Sequence, residues 1–162
     1  MEFRNFNSVA LGYAELVKRY DERWNWFGHF TFPEDIHPEA AGKIWKKFTH
    51  MINRDVYGCR YYKRDKGIIW SRGSEYQKRG VIHYHSLLGD IPDRVRRLDY
   101  LDLWQSLAGF ARIFKYERGK GAEEYITKSA YAFKRGEVDF SNTLAVQLNS
   151  NQLELSCLVA MH

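Results

Sequence analysis

Two histidines stand one residue apart in the run Gly80-Val81-Ile82-His83-Tyr84-His85-Ser86-Leu87-Leu88. The run reads as one β-strand, on which alternate side chains share a face. His83 and His85 then project from one side and Tyr84 from the other, and two imidazoles so placed can hold a divalent metal. A carboxylate lies just upstream in Ser74-Glu75-Tyr76, ahead of Gln77-Lys78-Arg79-Gly80. A three-residue loop over 77–79 closes a hairpin in which Glu75 lies across from Val81 and on the histidine face. A loop of even length turns Glu75 away unless a bulge restores the register. Gly80 suits the positive φ that a three-residue loop or a bulge requires. Glu75, His83 and His85 are the candidate metal ligands. Mixed imidazole and carboxylate ligation suits Mn²⁺ or Mg²⁺, and Zn²⁺ or Ni²⁺ could occupy the same set. The plain alternative is a pair of hydrogen-bonded sheet histidines.

A second chemical pair lies downstream in Ala122-Glu123-Glu124-Tyr125-Ile126-Thr127-Lys128. On a helix, Tyr125 and Lys128 are three apart and neighbour each other on one face. A phenol is a poor nucleophile at neutral pH, with an ordinary pKa of about 10. A nearby cation or metal favours the phenolate. The alternative is a half-buried ring with a lysine extended over it.

The elements that must position these groups follow from periodicity. Residues 8–22 read as an amphipathic helix with Ser8 as its N-cap and Val9, Tyr13, Leu16 and Tyr20 inward. Trp24 to Phe32 is aromatic and β-prone, and Pro33 stops it. His37-Pro38 opens a helix that runs to about Val56, with Ile44, Trp45, Phe48, Met51 and Ile52 as its buried stripe. Cys59 to Lys63 and Gly67 to Ser71 flank Arg64-Asp65-Lys66 and read as a hairpin. After the histidine strand come a helix over 97–108, a strand from Ala111 to Tyr116 and a helix from Ala122 to Lys134. The expected fold is α+β: a central antiparallel sheet of about five strands with helices packed on its faces. The expected organisation is one domain over 1–136. An appendage over 137–162, alternating in places and helical in others, is expected to pack on the same domain.

The chain has 162 residues, two cysteines and a formal net charge of +5. Cys59 and Cys157 are too few for a disulfide framework and lack metal-site spacing, which makes a reducing, cytoplasmic setting the default. No apolar run approaches a membrane span, and the N-terminal residues do not read as a signal peptide. There is no GxxxxGK[ST] phosphate loop. The basic balance suits a polyanionic partner. With 11 Tyr and 5 Trp, aromatics are abundant enough to serve base stacking as well as the core. Arg60, Lys63, Arg64, Arg72, Lys78 and Arg79 are the candidate DNA-binding residues, the alternative being a sheet edge kept soluble by charge.

Taken in order, Phe30-Thr31-Phe32, then Glu75 before His83-Tyr84-His85, then Tyr125-x-x-Lys128, the set resembles the HUH endonuclease superfamily. Within it, the closest likeness is to single-tyrosine rolling-circle replication initiators (Rep). The resemblance covers roughly residues 24 to 135. The tyrosine follows the histidines, as in initiators and HUH transposases rather than relaxases, and Tyr131 sits too far around the helix to serve as a second nucleophile. The resemblance implies metal-dependent, sequence-specific nicking and joining of single-stranded DNA at a replication origin through a 5′-phosphotyrosine on Tyr125. It implies Mg²⁺ or Mn²⁺ at Glu75, His83 and His85 and a role for Lys128 in orienting the phosphate or stabilising the phenolate, and it leaves open whether a helicase partner acts in trans. Rival readings are an HUH transposase with the same chemistry, a non-catalytic single-stranded nucleic-acid-binding domain on an RRM-like sheet, and a metal hydrolase that uses water in place of Tyr125.

Overall fold

The computed structural model describes residues 3–78, 80–128 and 138–145, with side chains from Leu11 onward. The elements are α1 (Phe3–Lys18), β1 (Trp24–Thr31), α2 (Pro38–Tyr57), a 3₁₀ turn (Tyr61–Arg64), β2 (Ile69–Tyr76), β3 (Ile82–Gly89), α3 (Arg97–Leu107), β4 (Ala111–Lys115), α4 (Ala122–Thr127) and β5 (Val138–Phe140). The strands form one sheet in the order β4-β1-β3-β2-β5. Every pairing is antiparallel. The fold is α+β, and its β1-α2-β2-β3-α3-β4 core has the succession of a ferredoxin-like domain. Among the described residues, no helix is long and apolar enough to cross a membrane.

Period-two alternation assigns each face of the sheet. Trp26, Phe30, Trp70, Tyr84 and Leu88 point to one side, where they meet Trp45, Phe48 and Ile52 of α2 and Trp104 of α3. Phe30 sits at the centre of this core, with ring centroids 5.2 Å from Trp45 and 4.9 Å from Trp104. Among the residues whose side chains are described, all five Trp, and Phe30, Phe32, Phe48, Tyr84 and Tyr100 with them, are buried. α2 starts as its sequence dictates: His37 caps it by accepting the Glu39 N–H on Nδ1, and Pro38 fills the first turn. The opposite face carries Ile69 and Leu87, covered by Val17 of α1, Ile126 of α4 and Leu144.

Several boundaries differ from expectation. α1 begins before Ser8, so Ser8 lies inside the helix rather than capping it. The helix closes at Lys18 because Trp24 donates its indole N–H to the Val17 carbonyl and the chain turns through Tyr20 and Asp21. The hairpin expected over Cys59–Ser71 does not form. Residues 61–64 instead make a 3₁₀ turn held to the end of α2: Gly58 has φ 85°, and Arg64 donates to the Tyr57 carbonyl. Asp65 then turns the chain with φ 49°. Tyr61 and Tyr62 supplied β-propensity without a partner strand. The sheet still has five strands, because β5 adds to the outer edge of β2, pairing Ser71 with Phe140 and Gly73 with Val138. Val138–Phe140 is thus part of the sheet, within the stretch expected to form an appendage.

Candidate metal centre

The β2–β3 connection spans residues 77–81, because the last paired residues are Tyr76 and Ile82. It is held by Gln77 N–H to the Val81 carbonyl at 2.9 Å and Gly80 N–H to the Gln77 carbonyl at 2.8 Å, with Gly80 at φ 84°. The loop is two residues longer than the three expected. Its odd length keeps Glu75 on the histidine face but moves its partner from Val81 to His83.

The resulting register makes a grid on the open part of that face. Gly73, His85, His29 and Arg112 lie in one row across β2, β3, β1 and β4; Ser71, Leu87, Phe27 and Phe114 lie in the next. Glu75, His83 and Thr31 form the row on the other side. Glu75 Oε2 is 3.2 Å from His85 Nε2 and 3.5 Å from His83 Nε2. The two Nε2 atoms are 2.8 Å apart. Ligand atoms of all three residues fall within 4.8 Å of one another.

This donor set fits a divalent cation. Two imidazole nitrogens at hydrogen-bond distance cannot both carry a proton, so at least one lone pair faces the other ring and the carboxylate. Such an arrangement is held together by a proton or by a cation. Burial disfavours the protonated form of both rings. His85 is pushed down to about 2, first by burial and then by the positive charge His83, His29 and Lys128 present when ionised. His83 is also lowered, chiefly by burial and in part by Lys128, against the pull of Glu75. Neutral imidazoles are the metal-binding form. Glu75 remains about one-third exposed, which leaves a path for an ion from solvent.

α4 brings the second pair to the same place. It can lie directly on the sheet because residue 73 is glycine: a Cβ there would stand 1.9 Å from the Ile126 carbonyl oxygen. Tyr125 is set edge-on to His85, with ring centroids 4.6 Å apart, and edge-on to His29 at 5.6 Å. It remains 39% exposed, so a large substrate can reach it. Lys128 Nζ is 3.8 Å from the centre of the Tyr125 ring and 3.0 Å from Glu75 Oε2. Burial lowers its basicity, but hydrogen bonding to Glu75 and Tyr125 outweighs that, and the net effect raises it. Lys128 is therefore a fixed ammonium.

His29, which in the sequence reads as a sheet histidine on the face opposite Phe30 and Phe32, able to approach the metal site or bind DNA, reaches the site from β1. Its Nδ1 lies 2.8 Å from His85 Nδ1. The available signal was parity: His29 and Thr31 alternate with the core residues Phe30 and Phe32.

The expected DNA-binding residues do not gather here. Arg60, Lys63 and Arg64 precede Ile69, at the end of β2 remote from Glu75, roughly 20 Å along the strand at ~3.3 Å per residue. Arg72 points to the opposite face, its guanidinium 4.3 Å from the Tyr84 ring centre and 3.1 Å from Asp139. Lys78 is exposed in the loop beside the triad. Arg79, Tyr131 and the helix expected beyond Lys128 lie outside the described residues. Cys59 is a free, exposed thiol.

No protein-family model matches the chain, and no match is found among curated proteins or solved structures.

Proposed function

We propose that this chain is a metal-dependent endonuclease that nicks and rejoins single-stranded DNA through a covalent phosphotyrosine at Tyr125. The observation that carries the reading is the convergence of Glu75, His83 and His85 with Tyr125 and Lys128 on one accessible face. Structural histidines need neither a carboxylate shared with a lysine nor an exposed phenol set against them.

Glu75, His83 and His85 would hold Mn²⁺ or Mg²⁺. When bound, the ion supplies charge neutralisation at the scissile phosphate. The Tyr125 hydroxyl attacks phosphorus, forming the Oη–P bond as the P–O3′ bond breaks. The phenolic proton passes to water, and the departing 3′ oxygen takes one up. The 5′ phosphate stays on Tyr125, and attack by another 3′-hydroxyl reverses the step without external energy. Lys128 keeps its proton and offsets negative charge on the phenolate and phosphate. We take the role to be initiation of rolling-circle replication on a plasmid or virus, in the cytoplasm and with a helicase in trans; the order of histidines and tyrosine fits it, and fits an HUH transposase equally.

The test is a denaturing gel of the protein with a diverse pool of labelled single-stranded oligonucleotides and Mn²⁺, with and without EDTA. A metal-dependent adduct that survives denaturation and disappears in Tyr125→Phe is expected. An adduct that persists in Tyr125→Phe, or cleavage without any adduct, overturns the assignment.

A further inference from the structure

β4 is an edge strand, and an edge strand is where exposed apolar side chains invite aggregation. Yet Phe110, just before it, is 57% exposed and Phe114 is 49% exposed, with an exposed arginine, Arg112, between them. Alternation puts all three on the face that carries the triad, since Ala111 and Ile113 point into the α2–α3 core. They form a column at two-residue steps of about 7 Å. Arg112 lies over the Phe110 ring, 5.6 Å from its centre. Phe114 packs edge-on against His29 at 6.0 Å.

The column is built in place. Thr31 holds the Phe110 carbonyl twice, through its N–H at 2.8 Å and its hydroxyl at 2.9 Å. Phe114 is fixed by register against Phe27, whose ring in turn touches Tyr125. The column stands two strands from His85, about 10 Å at ~4.8 Å per strand. A core needs none of this, and a solvated edge is better served by lysines than by phenylalanines. Flat apolar rings on either side of a guanidinium match a chain of bases joined by phosphates.

We infer that Phe110, Arg112 and Phe114 form a stacking platform that binds the single-stranded DNA flanking the phosphate held at the triad, with bases on the two rings and Arg112 on the backbone between them. The inference rests on the nuclease reading for its ligand. It moves the DNA track to the β4 side of the sheet, away from Arg60, Lys63 and Arg64.

The test uses fluorescence anisotropy with a fluorescein-labelled oligo(dT) probe in EDTA, so that binding is measured without chemistry. Phe110→Ala and Phe114→Ala should each weaken binding roughly 5- to 150-fold, the range for loss of one base–aromatic stack. Phe114→Tyr should bind like the parent, which separates loss of a ring from loss of fold. Unchanged affinity in the Phe110→Ala/Phe114→Ala double variant overturns the platform. So does a dimer in light scattering that the double variant turns to monomer with affinity intact, because the column is then a contact between two copies. The two readings fail separately. Adduct formation on Tyr125 with ring-independent binding removes the platform and leaves the nuclease. Ring-dependent binding with no adduct on any strand does the reverse.

Discussion

His85 and His29 face each other through their Nδ1 atoms at 2.8 Å, and that contact decides which nitrogen of His85 is free for a metal. One of the two atoms must donate. If His85 Nδ1 carries the hydrogen, its Nε2 presents a lone pair toward Glu75 and His83. If His29 donates instead, His85 Nε2 carries the proton and cannot ligate. Metal binding therefore selects one tautomer, with His29 as acceptor, and burial and nearby positive charge keep His29 neutral and able to accept. His29→Ala should weaken Mn²⁺ affinity about 10- to 100-fold by calorimetric titration, as loss of a ligand-orienting partner does. His29→Gln, whose amide oxygen can accept the same hydrogen, should recover part of it. Equal affinity in all three proteins would show that His85 is oriented by something else.

Gly73 controls the other half of the site. Any side chain there collides with the Ile126 carbonyl, a backbone atom that cannot swing away, so α4 must lift from β2. Tyr125 and Lys128 travel with α4, whereas the triad stays on the sheet. Gly73→Ala should cost about 1–3 kcal/mol of stability in chemical denaturation, the usual cost of overpacking. At a temperature where it is folded, adduct formation should fall about 100-fold, the scale of an ångström-sized misplacement of a reacting group. Mn²⁺ affinity should change far less. A parallel loss of both would mean that α4 and the triad are not separable.

How much of this was legible in the sequence depended on whether the deciding information was local. The histidine strand, α2 with its Pro38 start, and the Tyr125–Lys128 pairing follow from period and propensity. The face on which Glu75 falls was also readable, because parity survives a loop of three or five residues; its opposite number, His83, was not, because loop length is set by tertiary hydrogen bonds. Cys59–Lys63 failed for the opposite reason. Its tyrosines have strand propensity, but Gly58 and Arg64 tie the segment to the end of α2, and Val138–Phe140 takes the place in the sheet. Arg72 was misplaced because charge gives no hint of face, whereas its position between Ser71 and Gly73 on β2 does.

Stability without metal should depend on pH through the same histidines. His29, His83 and His85 all have folded-state values below the ordinary 6.5. Above pH 6.5 both folded and unfolded chains hold these rings neutral, and their contribution to stability is fully present. As pH falls through 6.5 the unfolded chain takes up protons that the folded one resists, so stability drops, and for His85 the drop continues toward pH 2. Thermal melts in EDTA should show a falling Tm from pH 7 to pH 5. His85→Asn should flatten that slope. A Tm that stays level across this range in the parent protein contradicts neutral buried rings.

Arg72 should behave as a packing residue. Its guanidinium lies against Tyr84, Trp45 and Trp70 and pairs with Asp139 of β5, on the face away from the triad. Arg72→Ala should lower stability by about 1–3 kcal/mol, through lost cation–π contacts and lost cover for the aromatic core. The salt dependence of oligo(dT) binding should keep its slope. Arg112→Ala should do the reverse, leaving stability intact and reducing the slope of log affinity against log salt by about one. The pair of variants distinguishes an arginine packed on the aromatic core from one that touches phosphate; a reduced slope in Arg72→Ala would return it to the DNA surface.

Lys128 sets up a competition that gives two measurements of opposite sign. Its ammonium sits 3.0 Å from the same Glu75 oxygen that faces both histidines. A cation entering the triad must share Glu75 with it. Both side chains are more than one-third exposed, so solvent screens the pair and its strength is that of a surface ion pair, no more than about 1 kcal/mol. Removing the charge in Lys128→Met should therefore tighten Mn²⁺ binding about 2- to 5-fold. Adduct formation at saturating Mn²⁺ should fall, because the charge held 3.8 Å from the centre of the Tyr125 ring is gone when phenolate and phosphate need it. Lys128→Arg keeps the charge and should restore most of the rate. If Lys128→Met lowers metal affinity and rate together, the lysine positions Glu75 for the ion rather than competing with it, and its role lies in assembling the triad.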